Sequence, residues 1–519
     1  MKILFVNFLV FSNTLNLFCQ TAGDNLFNNL AIHTIEINFS QPGYWSDLVS
    51  NKSYDDANDS STYIPAAVII DGVSLDSVGI QFKGNSSYYN YPSNKKPFTL
   101  SFNEYITGQK FDGLKNINLN NCYQDPTLMR EKLFLDFANE HGLNAPRANY
   151  ARVFINGTYW GMYLMVERIN KTYLNDRMGN NDGNLFKGDN GTPACADLKF
   201  HGTLASYYNC YTLKTNKPTN DWTDLINLTD QINNTSDSNF KDSVDNVLNT
   251  NSFIGAWAMY NMFVDFDSYP YRFIHNYYIY HNTATNKFDW IIWDVSTAFG
   301  MDVPASVAAI ENTSIYYIQP NANDRPLVER MLSDSAFKNL YESYICLYLQ
   351  DFQPSFLNPK IDSIYNLISS DVYLETMNMY SNTNFDENIN DNITIGSITY
   401  PGLKSFILNR SNNIQNELTG LGINCTLVLS SVPNTKYDFE LYPNPTNNTV
   451  NVEFFLESIS SVSVDLTNIS GQTINLYSNE LSSPGKLKYT LDISDLSKGI
   501  YFLRLTINQS VYTKKIAVL

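Results

Sequence analysis

Charge is scarce in this sequence. Asp, Glu, Lys and Arg make up 16% of its 519 residues, against roughly 25% in an average soluble protein, so the polar surface has to come largely from Asn, Ser, Thr and Tyr. Positive charge is scarcer still. There are 34 Lys and Arg against 51 Asp and Glu, a net charge of −17, and no Lys/Arg cluster stands out. Non-specific binding to a nucleic acid selects such clusters and is excluded as the main role. The six cysteines and five histidines include no CxxC pair and no Cys/His group at zinc spacing, so a structural zinc site is not expected. Beyond the N-terminus no apolar run approaches the roughly 18 residues of a membrane span, and the mature chain is expected to carry no transmembrane segment. Aromatic residues, by contrast, reach 14%, which rules out a disordered polyampholyte. The length suffices for two or three domains.

Lys2 is followed by the apolar run Ile3 to Val10, then by Phe18-Cys19-Gln20 and the polar Thr21-Ala22-Gly23-Asp24. Residues 1–20 therefore read as a secretory signal peptide. Its removal leaves Cys122, Cys195, Cys210, Cys346 and Cys425, an odd number, so at least one finds no partner within the chain. Cys195 and Cys210 bracket a short loop and are the expected disulfide.

From residue 30 to 105 the pattern is β-rich. Ala31 to Phe39 and Ser77 to Lys83 alternate, Tyr63 to Ile70 is an apolar run, and the loop Gly84-Asn85-Ser86-Ser87 leads past Lys95 and Lys96 to the alternating Pro97 to Phe102, which predicts a hairpin. Asp125-Pro126-Thr127 signals a helix over Leu128 to His141, stopped by Gly142. Asn156-Gly157 between Tyr150–Ile155 and Tyr159–Val166 is a strong hairpin signal. Residues 250–266 and much of 325–420 have helical periodicity, with β segments at 276–280 and 288–293 between them. A β-rich part to about residue 166 and a mainly helical part after it predict two lobes, with the cleft between them as the favoured ligand site. After residues 426–436, read as a linker, period-2 alternation runs to the end and predicts a small antiparallel β-sandwich.

Three elements carry candidate chemistry. In QFKGNSSYYNYPSNKKPFTLSF (81–102), a polar loop with Ser86 and Ser87 precedes two lysines opening a strand; backbone N–H groups of such a loop cradle phosphates, and a strand-borne Lys reaches their oxygens. Phe263-Val-Asp-Phe-Asp-Ser-Tyr269 puts Asp265 and Asp267 at the end of an apolar helix, followed by Asn276 at a strand entry. Trp290-Ile-Ile-Trp-Asp294 ends a very apolar strand in a carboxylate. Singly, each also reads as a solvated hairpin, an Asx turn or a helix cap. Together they bring Lys, Asp, Asn and Asp in the order that phosphoryl transfer on a kinase scaffold uses.

On these strings, with DPTLMREKLFLDFANEHGLNAPRANYARVFINGTYWGMYLMVERINKTYL, GNLFKGD at 183–189, NYYIY and WDVSTAFG, residues of about 21–425 resemble the CotH family of secreted, kinase-like proteins. The resemblance implies an α+β, bilobal atypical protein-kinase-like fold binding ATP and Mg²⁺. It implies Lys96, with Lys95 as the other reading, on the nucleotide phosphates beside Ser86 and Ser87, and Glu131 as the partner holding that lysine. Met165-Val-Glu167 becomes the segment between the lobes that meets the adenine. Asp267 resembles the catalytic Asp, with Asp265 as the other reading, and Asn276 and Asp294 hold Mg²⁺. Two departures stand out: Asn276 follows Asp267 by nine residues rather than five, and Lys83 stands where the family commonly has Arg. Residues 437–519 resemble a type IX secretion C-terminal sorting domain through LYPNPTNNTVNV, the SGQ turn at 470–472, DLSKGIYFLRL and KKIAVL.

The implied function is an exported atypical Ser/Thr kinase that phosphorylates a surface or secreted protein. Its partners are that protein and the type IX secretion machinery, and its route leads through the periplasm and outer membrane to the surface or the medium. The alternative is a non-catalytic surface-structural or adhesive protein on a kinase-like scaffold. A glycoside hydrolase using Asp267 and Asp294 has only the two carboxylates behind it.

Overall fold

The computed structural model describes residues 21–58, 60–188, 195–301, 305–318, 325–425 and, with short interruptions, 439–518. The expected signal peptide and linker lie outside the described residues, as do Asp189 and the SGQ turn at 470–472.

The first part, expected only to be β-rich, is a closed barrel. Its strands are β1 (Ile32–Asn38), β2 (Ile64–Ile70), β3 (Val73–Phe82), β4 (Phe98–Ser101), β5 (Asn116–Asn120), β6 (Ala148–Ile155) and β7 (Thr158–Glu167), in the order β1-β2-β3-β4-β5-β7-β6. The parallel pairing of β1 with β6 closes the ring, Ile35 opposite Val153. Alternation fixes which face is inside: Ile35, Ile37, Val68, Ile80, Leu100, Ile117 and Val153 are fully buried. Each such side chain contributes about 1.5–3 kcal/mol over its exposed state. The hairpins β2–β3 and β6–β7 turn on Asp71-Gly72 and Asn156-Gly157, with φ of 49° and 83°, and of 47° and 77°. Both central residues are left-handed, the geometry that Asp-Gly and Asn-Gly favour. The predicted hairpin between residues 77–83 and 97–102 is the β3–β4 pair, with Phe82 opposite Phe98.

The predicted helix forms over Arg130–Glu140. It starts two residues later than expected because Leu128 sits at φ 58°, outside helical space. Asp125 organises this entry: its carboxylate accepts from Thr127 N at 2.9 Å and Arg130 N at 2.8 Å, and pairs with the Arg130 guanidinium.

Downstream, β8 (Leu185–Gly188), β9 (Tyr211–Leu213), β10 (Tyr277–Asn282) and β11 (Lys287–Ile292) form a sheet in the order β11-β10-β8-β9. The helix Thr250–Met262 is buried on almost every side, as expected of a helix apolar all round. Ring stacking fills this region: Tyr277 on Trp290 at 4.1 Å and Trp257 on Tyr341 at 4.0 Å between centroids. Cys195 and Cys210 form the expected disulfide, and Cys122 is a free thiol.

Residues up to Ile423, apart from Glu140–Gly142, make one compact unit, and most of the second runs from Asn424 to the end. The C-terminal unit has two antiparallel sheets, one of Glu440–Tyr442, Thr449–Leu456 and Gly485–Asp492, the other of Thr473–Ser482, Ser460–Asn468, Gly499–Ile507 and Ser510–Val518. Val450 and Val452 from the first and Val464, Leu466 and Leu503 from the second share one core, in keeping with the expected sandwich.

Within the first unit Lys95 and Glu375 form a wholly buried ion pair, at 2.7 Å with side chains 0% and 1% exposed. The contact is off hydrogen-bond alignment, while the Glu375 carboxylate also accepts from Met162 N at 3.0 Å. Burial disfavours the Lys95 charge, and Glu375, with Tyr91 and Cys122 behind it, more than restores it. Glu375→Ala strands that charge and is expected to cost about 3–5 kcal/mol in urea unfolding, most of it regained in Lys95→Met/Glu375→Leu. A loss below about 1 kcal/mol, the level of an exposed pair, contradicts a structural role.

Candidate active site

Lys83 follows the last residue of β3. Phe82 is buried in the barrel, so alternation sends Lys83 to the other face. Its Nζ donates to Asn120 Oδ1 at 2.5 Å, and Asn120, at the end of β5, donates to both Glu131 oxygens at 3.0 and 2.9 Å. Glu131 lies in the first turn of the helix Arg130–Glu140. Arg130 points the other way, to Asn388 Oδ1 and Pro401 O at 2.8 and 2.7 Å. Asp294, two residues past β11, is exposed at φ 54° and accepts from Ser296 Oγ at 3.2 Å.

These groups feel one another. Burial, then the Asp294 charge, push Glu131 up to about 7 against the pull of Asn120 and Lys83. Burial lowers the Lys83 pKa; Asp294 and Glu131 oppose this, while Arg168 after β7 and Lys187 on β8 add to it. Two carboxylates thus face three cations. One consequence is a pH dependence of folding. Because the folded state holds the Glu131 proton above the ordinary value of 4.5, stability falls as pH rises from about 4.5 to about 7 and stays lower beyond. Glu131→Gln is expected to abolish that part of the slope and to raise stability at pH 8, read from denaturant unfolding at both pH values. An unchanged slope contradicts the assignment.

A second group lies on the segment after the helix Thr250–Met262. Val264 is at φ 50°, a strained conformation for a β-branched residue. Asp265 is fully buried, and its Oδ1 accepts from Thr297 Oγ1 at 2.7 Å. Burial holds its carboxyl well above the usual range despite Thr297, with Asp267 and Asp294 adding to the rise. Asp267 is part-exposed, its Oδ1 2.7 Å from His275 Nε2. Asn276, at φ 62°, donates Nδ2 to Asp267 O at 2.8 Å. Phe299 N to Phe263 O, 2.7 Å, and Gly300 N to Val264 O, 3.0 Å, tie this segment to the residues after Asp294.

Of the residues singled out in the sequence, Glu131 and Asp294 come together, and Asp267 shares a loop with Asn276. The lysine beside Glu131 and Asp294 is Lys83, while Lys96 and Lys95 are engaged elsewhere. Lys96 Nζ donates to Tyr88 O and Tyr91 O at 2.7 and 2.9 Å, fastening the loop that follows the one-turn helix Ser86–Tyr89. Ser86 is exposed and Ser87 O accepts from Asn121 Nδ2 at 2.9 Å. Glu167 is buried against Arg147 at 2.7 Å and Arg177 at 3.4 Å; burial pushes its carboxyl up, but the two arginines hold it below its ordinary value. Its N–H bonds Arg147 O at 2.9 Å, so side chain and amide are both engaged within the fold. Asn120, Arg168 and Lys187 carried no signal of their own. Lys83 did, as a lysine ending an alternating strand just before a polar loop.

Comparison with known proteins adds the family. The model of the CotH kinase protein family matches residues 80–414, and that of the secretion system C-terminal sorting domain matches residues 440–519. Inner spore coat protein H of Bacillus subtilis is 29% identical over 316 residues, 60% of this chain and 82% of that protein. Invasin CotH3 of Rhizopus delemar is 23% identical over 260 residues, and Invasin CotH2 of the same organism 24% over 349 residues. The chain covers 42% and 55% of the two invasins, and 47% and 63% of the chain is matched. The sorting domain assigns the protein to type IX secretion, to the cell surface or beyond, and no described helix is long and apolar enough to cross a membrane. With residues 80–414 matched, most of its length, the chain belongs to the CotH kinase protein family.

Proposed function

We propose that this protein is an exported kinase that transfers the γ-phosphoryl group of ATP to a Ser or Thr hydroxyl of another surface or secreted protein. The observation that carries this is the convergence of Lys83, Glu131 and Asp294 from the end of β3, the first turn of a helix and the end of β11. On a two-lobed kinase scaffold those are the places of the phosphate-binding lysine, its glutamate and the metal-binding aspartate. The barrel with its helix is then the nucleotide-binding part, and residues 250–300 supply the catalytic loop and the following hairpin.

Lys83 neutralises phosphate oxygens, and Asn120 and Glu131 hold it in place. Asp267 orients the acceptor hydroxyl and takes its proton as that oxygen bonds to the γ-phosphorus and the bond to the ADP oxygen breaks. His275 fixes the Asp267 carboxylate. Asp265, buried and bonded to Thr297, braces the loop rather than serving as base. Asp294 and the Asn276 amide oxygen are the residues to hold Mg²⁺. These hard oxygen donors suit an ion that takes one or two carboxylates plus substrate phosphates, and the repulsion that raises Glu131 is what such a charge relieves. No group of three or more His, Cys, Asp or Glu suited to a metal occurs among the described residues. Bound Mg²⁺ supplies neutralisation and orientation of the phosphates.

The test is transfer of label from γ-labelled ATP with Mg²⁺ to proteins of the outer surface. Labelled Ser or Thr with the parent and none with Asp294→Asn supports the kinase. No label with either favours the second reading, an adhesive or structural surface protein, which the names of the two invasins support.

A further inference from the structure

The Cys195–Cys210 disulfide takes no part in the site as described, yet the segment it ties down is hydrogen-bonded to the loop that carries Asp267. Residues 195–198 belong to no strand or helix, and Ala196, Asp197 and Leu198 are buried, at 0%, 5% and 1% exposure. Leu198 sits at φ 60°, in left-handed space that a leucine seldom occupies. Its N–H donates to Tyr211 Oη at 3.0 Å, and its carbonyl accepts from Asn233 Nδ2 at 2.8 Å. Tyr211 follows Cys210 and opens β9, so the disulfide and this hydrogen bond fasten the segment to the same strand end.

Two tyrosines reach that segment from the two ends of the Asp267–Asn276 loop. Tyr269, two residues after Asp267, donates its hydroxyl to Asp197 O at 3.2 Å; Tyr277, the residue after Asn276, donates its own to Ala196 O at 2.7 Å. Both tyrosines are fully buried, and both pack on Trp290, with ring centroids 5.4 and 4.1 Å away. Tyr277 lies opposite Gly188 of β8, where a Cβ would meet its ring at 2.6 Å, so glycine leaves room for that path. Leaving a buried hydroxyl or carbonyl without its partner costs more than the bond itself contributes. The two carbonyls and the two hydroxyls therefore set each other's position.

Resting on the kinase reading, we propose that the Cys195–Cys210 disulfide is a positioning element of the transfer site: it holds the carbonyls of Ala196 and Asp197, through which Tyr277 and Tyr269 set the loop that presents Asp267. In a chain whose two cysteines are joined, as in an oxidising compartment, the loop is preorganised for transfer. Without that bond the anchor is loose and turnover falls. Lys83, Glu131 and Asp294 make none of these contacts, so nucleotide affinity changes little.

The experiment compares the full chain with Cys195→Ala/Cys210→Ala, with Tyr269→Phe/Tyr277→Phe and with all four substitutions. Three quantities are read: the rate of transfer of label from γ-labelled ATP with Mg²⁺ to outer-surface proteins, the affinity for ATP with Mg²⁺ by calorimetry, and amide hydrogen exchange of residues 265–277 without nucleotide. Expected in each pair is a transfer rate at saturating ATP lower by on the order of tenfold, exchange faster by a similar factor, and ATP affinity within about threefold of the parent. The four substitutions together are expected to cost no more than the tyrosine pair alone, because the two pairs act through one anchor. Losses that multiply, exchange unchanged in either pair, or an ATP affinity that falls with the rate overturns the proposal. If the cysteine variant does not fold, Tyr269→Phe/Tyr277→Phe, which removes only two hydroxyls, decides by rate and exchange. Because exchange is read without nucleotide, a loop that loosens in the variants of a parent that transfers nothing counts against the kinase reading and not against the anchor.

Discussion

Replacing Lys83 by Met is expected to cut phosphoryl transfer by on the order of 10²–10³, the cost of removing one preorganised charge from a transition state. Lys96→Met is expected to change it by no more than about threefold, as for a substitution away from the site. The difference rests on where each amine is held. Lys83 is in reach of Asn120, which carries it to Glu131, and it feels Asp294. Lys96 is bound to the carbonyls of Tyr88 and Tyr91, so its loss loosens one loop. Single-turnover assays on both variants decide; equal losses, or a larger loss at Lys96, contradict the assignment of Lys83.

Asp267→Asn and Asp294→Asn are expected to fail in different ways. On the proposed reading Asp294 holds the nucleotide through Mg²⁺, so its loss is expected to lower Mg²⁺-dependent affinity together with turnover. On the same reading Asp267 works on the acceptor hydroxyl, mainly in the transition state, so Asp267→Asn is expected to keep nucleotide affinity and to lose on the order of 10² or more in turnover. Asp265→Asn offers a contrast. It sits behind the loop, bonded to Thr297, and removing its acid is expected to lower stability or loop order without the selective kcat loss of Asp267→Asn. Matching losses of nucleotide binding at Asp267 and Asp294 remove the separate roles.

Much of this was legible in the sequence, for local reasons. Asn156-Gly157 marked its hairpin because few other pairs accept two left-handed residues in succession. The position of Asp294 was legible because a very apolar strand ends there, while Glu131 was named through the family resemblance, on a helix whose start an Asp cap fixed within two residues. The closure of the barrel was not legible, since it depends on the parallel pairing of β1 with β6, more than a hundred residues apart. That Lys83, and neither Lys96 nor Lys95, reaches the Asn120–Glu131 pair was hidden for the same reason. Lys95 is held by Glu375, 280 residues downstream, and Lys96 by carbonyls that a short-range pattern does not mark as acceptors. Glu167 read as part of the segment between lobes, yet Arg147 and Arg177 close around it.

The most direct measurement of the central claim is a calorimetric titration of the secreted chain with ATP, with and without Mg²⁺, on the parent, Lys83→Met and Asp294→Asn. Saturable binding that depends on Mg²⁺ in the parent, and falls at least tenfold in each variant, is the predicted result. No heat with the parent, or an isotherm unchanged by both substitutions, would contradict a nucleotide site built from Lys83, Glu131 and Asp294.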